Sequence, residues 1–389
     1  MYQVKTFNAI AKSGLEIFTD DFQINQTDNP DAYLIRSVNL LNQNLPQNLK
    51  AIVRAGAGVN NVPLKQATKK GIAVFNTPGS NANAVKELVI SLMIATTRNL
   101  FSANEYSIAH AQADISQRTE KDKTKFNGSE LAAKKLAVIG LGHVGSLVAN
   151  AAMQLGMKVI GFDPYLSTNG AWRIDNKVRR VDSIKKAVQN ADFVTVHVPK
   201  NDATIDLIGT KEIDEMKENV ILFNYSRLGI INNKAVVKAL RHQKISHYCT
   251  DFGEPLIAGN SSITITPHIG GSTIEAESNG ATQGAKTVMD YLESGDTKHC
   301  VNLPNLEVPF ETEFRITVIH QNIPNMVGQI STQIANKKIN IENMSNAAKG
   351  EIAYTIVDVD NLKTNDIDEL KNALESVTEV YRVRIIKHQ

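Results

Sequence analysis

The sequence predicts an α/β protein with two parallel sheets covered by helices and a smaller C-terminal module. Short apolar runs alternate with helix-like segments over the first hundred residues, and the same alternation starts again near residue 136. A proline-containing stretch at 300–313 then precedes a final segment with the order β-α-β-β-α-β. The first pattern is typical of parallel α/β layers, and the second is typical of a ferredoxin-like module.

Length and composition favour an ordinary globular protein of two or three domains. The chain has 389 residues, 42% hydrophobic and 21% charged, with 42 basic and 40 acidic side chains. This balance offers no electrostatic case for nucleic acid or an anionic membrane. No apolar signal-peptide core and no membrane-spanning apolar run is visible, so a cytoplasmic location is expected by default.

The two cysteines, Cys249 and Cys300, are far apart and in no CxxC spacing. This spacing argues against a disulfide framework and against a zinc site. We expect two inert structural thiols and no metal.

Candidate strands of the first layer lie at 32–37, 49–56 and 71–76, followed by an amphipathic helix at 84–97. The second layer has five buried-type strands, at 136–139, 158–163, 192–199, 220–226 and 262–268. Helical or loop sequence separates these five strands, which predicts a doubly wound domain.

A glycine-rich motif begins the second layer. Gly140, Gly142 and Gly145 form G-x-G-x-x-G directly after an apolar run and directly before a helical pattern, with His143 and Val144 inside the turn. The first glycine permits the turn, the second lets backbone approach a pyrophosphate, and the third lets helix and strand pack closely. The helix N-terminus then favours the negative charge of the pyrophosphate.

An aspartate supports the same interpretation. Asp163 ends the next strand, where a carboxylate accepts hydrogen bonds from the adenosine ribose and repels a 2′-phosphate. The alternative is a glycine-rich turn with an accidental aspartate, but strand, helix and acidic residue together favour a nucleotide site. We therefore predict a Rossmann-type domain that binds NAD rather than NADP.

Three later segments supply candidates for a reaction centre. NYSRLG contains Arg227, TDFGEP contains Asp251 and Glu254, and TPHIGGS contains His268. Singly, each has an ordinary structural explanation: an ion-pair arginine, turn carboxylates and a structural histidine. Their order after a nucleotide fold suggests a cation for a carboxylate and a base for a hydroxyl proton, as oxidation of a 2-hydroxy acid requires.

The runs GLGHVG, FDPY, HVPKNDATIDLIG, NYSRLGIIN, DFGEP and TPHIGGST resemble the D-isomer-specific 2-hydroxyacid dehydrogenases, and the resemblance spans residues 1–305. It implies that Arg227 binds the substrate carboxylate and carbonyl. It also implies that His268 is the general acid and base, and that Glu254 hydrogen-bonds its imidazole. A neighbouring carboxylate would stabilise the imidazolium and fix its tautomer.

The resemblance implies further contacts. Positions matching cofactor contacts are His143, Val144, Thr204, Tyr225, Ser226, Asp251, Gly270 and Gly271. The loop Arg54-Ala55-Gly56-Ala57-Gly58 resembles one that binds a substrate carboxylate or phosphate through backbone N–H groups. Lys125 is a second candidate cation for the substrate, with a solvated lysine as the alternative.

This sequence departs from the family pattern twice. Asn60 replaces the family's usual Asp, and the segment before Glu254 is short. The second departure leaves open whether Asp251 or Glu254 is the partner of His268.

The resemblance also implies the domain bounds. A discontinuous, flavodoxin-like substrate-binding domain is expected at 1–97, continued by 282–305, and the NAD-binding domain at 98–281. The C-terminal domain is expected at 314–389, and the chain is expected to form a homo-oligomer, either a dimer or a tetramer.

The C-terminal segment resembles an ACT domain, a ferredoxin-like module that binds amino acids. His320, Asn322 and Asn340 stand at the places where serine-inhibited members bind L-serine, an allosteric effector. Such neutral donors and acceptors suit a zwitterion with a hydroxyl. The family's Pro-Gly is Pro324-Asn325 here, so the alternative is a dimerisation tail whose pocket has been lost.

Together, the two resemblances imply oxidation of 3-phosphoglycerate, the first step of serine biosynthesis. Alternatives of the same class are a hydroxypyruvate or glyoxylate reductase and a D-lactate-type dehydrogenase. An alternative of another class is a non-catalytic regulator that senses NAD or an amino acid.

Overall fold

A computed structural model describes residues 1–388 of the chain. They form two compact units, one made of residues 1–80 with 277–388 and the other of Asn81–Ala276. Two parallel sheets and one antiparallel sheet are present, which confirms the predicted fold class. The finer domain bounds stay predictions.

The strands are β1 (Tyr2–Thr6), β2 (Phe22–Ile24), β3 (Ala32–Ile35), β4 (Ala51–Arg54), β5 (Ala73–Asn76), β6 (Lys135–Ile139), β7 (Lys158–Phe162), β8 (Arg179–Arg180), β9 (Phe193–Val196), β10 (Val220–Asn224), β11 (Ile245–Thr250), β12 (Ile263–Ile265), β13 (Phe314–Gln321), β14 (Ile341–Lys349), β15 (Ile352–Val359) and β16 (Val380–Lys387).

The α-helices are α1 (Lys12–Leu15), α2 (Leu64–Lys69), α3 (Ala82–Thr97), α4 (Leu100–Ala109), α5 (Ile115–Asp122), α6 (His143–Gln154), α7 (Thr168–Ala171), α8 (Ile184–Val188), α9 (Thr210–Asp214), α10 (Asn233–Arg241), α11 (Ile274–Ser294), α12 (Met326–Asn336) and α13 (Ile367–Glu375). Short 3₁₀ turns cover Lys123–Phe126 and Thr364–Asp366.

The parallel sheet of the first unit has the order β2-β1-β3-β4-β5, which is the flavodoxin-like order. Its central strands are buried on both faces, since successive residues such as Leu34 and Ile35 point to opposite faces and belong to two different apolar clusters. The three strands predicted from the sequence are confirmed. The more polar β1 and β2 were not predicted.

The C-terminal strands form an antiparallel sheet of order β14-β15-β13-β16, the ferredoxin-like arrangement that the sequence predicts. Helices α12 and α13 cover one face, where Ile330 and Leu370 pack on Ile316. The opposite face contributes Ile319 and Tyr354 to the apolar cluster of the flavodoxin-like sheet. The C-terminal sheet therefore shares a core with the rest of its unit.

Buried arginines strengthen this packing. The last carbonyl groups of a helix have no partner within the helix. At the end of α11, Arg384 donates to the carbonyl oxygens of Tyr291 at 3.0 Å and Leu292 at 2.6 Å. Arg315 donates to the carbonyl oxygen of Ser294 at 3.1 Å. These two cations also complement the negative end of the helix dipole.

The sheet of the second unit is parallel and has the order β12-β11-β10-β9-β6-β7-β8. Helices cover both faces: α6 packs on one through Val148, and α10 on the other through Val236. The strand order reverses between β6 and β9, the place where ligands bind in open sheets. All five predicted strands are present, and the sheet has two more, β8 and β11, which were not predicted.

The two thiols lie in the interior. Cys249 is fully buried and Cys300 is 4% exposed. Burial raises the pKa of Cys249 to about 12 and that of Cys300 to about 11, so both thiols stay protonated near neutral pH. Within residues 1–388, no helix combines the length and the apolar character needed to cross a membrane.

Candidate functional site

The glycine-rich turn connects β6 to α6 as predicted. Gly140 has φ +89°, and a Cβ there would lie 2.7 Å from the carbonyl oxygen of His197. A Cβ on Gly145 would lie 1.9 Å from the carbonyl oxygen of Gly140. At Gly142, the residue before α6, a Cβ would meet nothing within 4 Å. The turn is therefore closed on its protein side and open at the helix N-terminus, which fits a pyrophosphate.

Asp163 follows β7 and lies beside this turn. Its Oδ2 accepts the N–H of Leu141 at 2.9 Å, and its Oδ1 accepts the N–H of Tyr165 at 2.9 Å. The carboxylate is thus fixed to the glycine-rich turn. Each oxygen keeps a lone pair for a ribose hydroxyl.

Arg227 follows β10 and is exposed. Its Nη1 donates to the carbonyl oxygen of Ser226 at 2.7 Å. The buried Asn224 shapes this turn, since its Nδ2 donates to the carbonyl oxygen of Arg227 and its Oδ1 accepts the N–H of Ser226. Asn224 was missed from the sequence, although it stands three residues before the arginine.

Two of the residues predicted to contact the cofactor donate hydrogen bonds from their hydroxyl groups to backbone carbonyl groups. Ser226 donates to the carbonyl oxygen of Val196 at 2.8 Å, and Thr204 donates to that of Pro199 at 2.6 Å. Tyr225 is 6% exposed and packs in the core. These side chains shape the loops at the carboxyl edge of the sheet.

His268 lies in the loop after β12. It is exposed and has φ +56°, a left-handed conformation that non-glycine residues rarely adopt. Its ring packs edge-on against Phe252, with 5.1 Å between centroids. Asp251 holds the neighbouring backbone, because its carboxylate accepts the N–H groups of Ile269 and Gly270. Within residues 1–388, the imidazole itself makes no hydrogen bond.

Glu254 has a different partner from the expected one. Its Oε2 accepts a hydrogen bond of 2.5 Å from Nδ2 of Asn233, the first residue of α10. Both residues line a cavity of about 530 Å³ that also includes Asp206 and Leu256. The pairing of Glu254 with His268 therefore stays a prediction. Asn233 was not predicted, because an asparagine at a helix start is ordinarily only a cap.

The loop after β4 belongs to the first unit. The N–H of Ala55 donates to the carbonyl oxygen of Ile35 at 2.8 Å, and that of Gly56 donates to Oγ1 of Thr77 at 2.7 Å. Arg54 donates to the carbonyl oxygens of Arg36 and Gly58. These bonds fix the shape of the loop. In the described chain the N–H of Ala57 makes no hydrogen bond and could donate to a ligand. Lys125, in the second unit, is exposed and pairs with Asp122 at 2.7 Å.

Among the predicted effector residues, His320 and Asn322 lie at the end of β13, and Asn340 lies at the opposite end of the sheet, just before β14. His320 is 2% exposed, and its ring contacts Oγ1 of Thr355 at 2.9 Å. Asn322 and Asn340 are exposed. Asn325 precedes α12 with φ +67°, so it adopts the left-handed conformation that a glycine would take.

Known proteins resemble both the sequence and the fold. Residues 90–270 match the family described as D-isomer specific 2-hydroxyacid dehydrogenase, NAD binding domain, which confirms the prediction of NAD as the cofactor. The D-3-phosphoglycerate dehydrogenase of Methanocaldococcus jannaschii is 36% identical over 300 residues, covering 76% of this chain and 55% of that protein. The protein of the same name from Escherichia coli is 30% identical over 350 residues, covering 86% and 80% respectively.

A solved structure shares the fold. The NAD⁺-bound 3-phosphoglycerate dehydrogenase of Entamoeba histolytica superposes with a TM-score of 0.61 at 23% identity, covering 78% of this chain and 99% of that one. The chain spans little more than half the length of the archaeal relative.

Proposed function

Because the chain belongs to the D-isomer specific 2-hydroxyacid dehydrogenase family, we propose that it oxidises D-3-phosphoglycerate to 3-phosphohydroxypyruvate with NAD, the first step of L-serine biosynthesis. The observation that carries the reaction type is the exposed His268 at the same sheet edge as Arg227 and the glycine-rich turn. The substrate is proposed from the name of the relatives that cover most of the chain.

The chemistry divides among three side chains. The guanidinium of Arg227 binds the substrate carboxylate and polarises the developing carbonyl. Neutral His268 takes the hydroxyl proton, and it must be protonated for the reverse reduction. NAD, when bound, accepts the hydride from C2 of the substrate. Glu254 is proposed to approach His268 in the substrate complex, because catalytic hydrogen bonds are often loose without substrate.

We also propose contacts for the anionic groups of the substrate. Arg54, Ala57 and Lys125 remain the candidates, with Ala55 and Gly56 shaping the loop through their own hydrogen bonds. A cytoplasmic homo-oligomer remains part of the proposal.

A panel of 2-oxo acids with NADH tests this function. We expect 3-phosphohydroxypyruvate to be reduced with a kcat/KM at least about tenfold above those of hydroxypyruvate, glyoxylate, pyruvate and 2-oxoglutarate, because among these acids only it carries a phosphate group for the proposed cations. Consumption is followed by the loss of NADH absorbance. A preference for glyoxylate or hydroxypyruvate would favour the reductase alternative. No loss with any of these acids would leave the non-catalytic alternative.

L-Serine is proposed as an inhibitor that binds the C-terminal domain. Asn340→Ala is expected to raise the serine concentration for half inhibition by about tenfold or more, because a hydrogen bond to a charged ligand group is lost. Asn343→Ala, exposed on β14 three residues after Asn340, is the matched control. An unchanged inhibition curve for Asn340→Ala would remove this residue from the effector site.

A further inference from the structure

The loop that carries His268 is fastened to a buried carboxylate. Asp251 is 4% exposed and accepts three hydrogen bonds, all from residues 266–270. Oγ1 of Thr266 donates to its Oδ1 at 2.5 Å. The N–H of Ile269 donates to Oδ1 at 2.9 Å, and the N–H of Gly270 donates to Oδ2 at 2.8 Å. The attachments therefore lie on both sides of His268.

The backbone at His268 needs such support. Its φ of +56° is left-handed, and its N–H closes a tight turn onto the carbonyl oxygen of Thr266 at 2.9 Å. A residue that carries a Cβ seldom adopts this conformation, so surrounding contacts must maintain it. Two of the three bonds to Asp251 come from the backbone after His268. Before His268, only the side chain of Thr266 makes one.

The proton of Thr266 has a single destination. A carboxylate can only accept hydrogen bonds, so the one hydroxyl proton of Thr266 is committed to Asp251. The hydroxyl oxygen of Tyr225 and the carbonyl oxygen of Thr250 each lie 3.4 Å from Oγ1 of Thr266, much farther than the 2.5 Å to Asp251. A Cβ at Gly270 would lie 3.6 Å from the Tyr225 ring and 2.9 Å from Oδ2 of Asp251. The far side of the loop is thus closed by packing.

We propose that Thr266 is a positioning residue: its hydroxyl, bonded to Asp251 and backed by Tyr225, fixes the turn that presents the imidazole of His268 at the sheet edge. Thr266 acts through the backbone of the loop and takes no part in the proton transfer itself. This inference rests on the proposed role of His268 as acid and base.

Three variants test the inference. Thr266→Val removes the hydroxyl and keeps the shape, Thr266→Ser keeps the hydroxyl, and Thr264→Val is the matched control. Thr264 lies on β12 and its hydroxyl contacts the ring of His247 at 2.8 Å, away from the loop. Should Thr266→Val not fold, Thr266→Ala carries the same test without placing a methyl group beside the Asp251 carboxylate.

Displacement of a general base should lower kcat strongly and should change the affinity for ligands much less. For Thr266→Val we expect kcat to fall by about 10- to 100-fold, with Thr266→Ser within about threefold of the parent chain and Thr264→Val unchanged. The dissociation constant of NADH should stay within about threefold. It can be measured by energy transfer from Trp172, the one tryptophan of the chain. A kcat for Thr266→Val within about twofold of the parent chain overturns the inference, as does equal damage in Thr266→Ser.

A second readout does not depend on turnover. The imidazole resonances of His268, assigned with His268→Asn, should shift or broaden in Thr266→Val and keep their position in Thr266→Ser and Thr264→Val. If the parent chain reduces no 2-oxo acid, the proposed function fails while this comparison still tests the positioning. An unchanged His268 spectrum in Thr266→Val overturns the inference in either case.

Discussion

Turnover of 3-phosphohydroxypyruvate should fall by about 10²- to 10⁴-fold in His268→Ala, with NADH binding intact, because general acid and base catalysis contributes on this scale. The loss should appear in kcat rather than in cofactor affinity. The side chain is exposed, its ring packs against Phe252, and in the described chain the imidazole makes no hydrogen bond. Truncation therefore removes little packing, and the melting temperature should hardly change.

Two further variants make this experiment decisive. His268→Asn keeps a residue that tolerates φ +56° and removes the acid and base, so it should be as inactive as the alanine variant. His242→Ala, at the exposed end of α10, is the matched control and should keep full turnover. Near-normal turnover in both His268 variants would exclude this residue as the proton carrier.

Strongly apolar elements were predictable from the sequence. All six elements of the C-terminal domain were predicted, since β13 and β15 are long runs in which nearly every residue is buried. Strand β11 was missed because its sequence ISHYCT mixes polar and apolar residues. Ser246 is exposed, and His247 hydrogen-bonds to Thr264 on the edge strand β12. The sequence of β11 therefore does not have the pattern of a buried strand.

The residues at the site were predictable where a motif names them. The glycine-rich turn, Asp163, Arg227 and His268 all lie at the carboxyl edge of one parallel sheet. Thr266 was missed because its partner, Asp251, comes from another segment and only the fold joins them. The Asn233–Glu254 bond escaped prediction for the same reason.

The packing of the C-terminal sheet could not be predicted from the sequence either. Strand β13 contains Arg315, and β16 contains Arg382 and Arg384. Charged residues that alternate with apolar ones along a strand ordinarily indicate a face exposed to solvent. Instead Arg315 is 0% exposed, and Arg382 donates to the carbonyl oxygen of Leu49 at 2.6 Å. The alternation of charged and apolar residues on a strand does not reveal whether an arginine side chain binds water or backbone carbonyl groups.

Arg315→Met should destabilise the first unit by about 3–5 kcal/mol, because it leaves a buried charge without its partner. The guanidinium donates to both oxygens of Asp358, at 2.7 and 3.0 Å. It also donates to the carbonyl oxygens of Ser294, Val308 and Pro309, so all five of its N–H donors are used. The Asp358 side chain is 3% exposed and would remain buried and unpaired.

Thermal unfolding followed by circular dichroism measures this loss, which corresponds to a decrease of about 6 to 20 °C for a unit of this size. Lys298→Met breaks an exposed pair with Glu307 and should cost less than about 1 kcal/mol. Arg315→Met combined with Asp358→Leu should recover part of the stability, since the unpaired carboxylate is gone while three carbonyl groups still lack a donor. If Arg315→Met melted like the parent chain, the buried arginine would not be what joins the C-terminal sheet to α11.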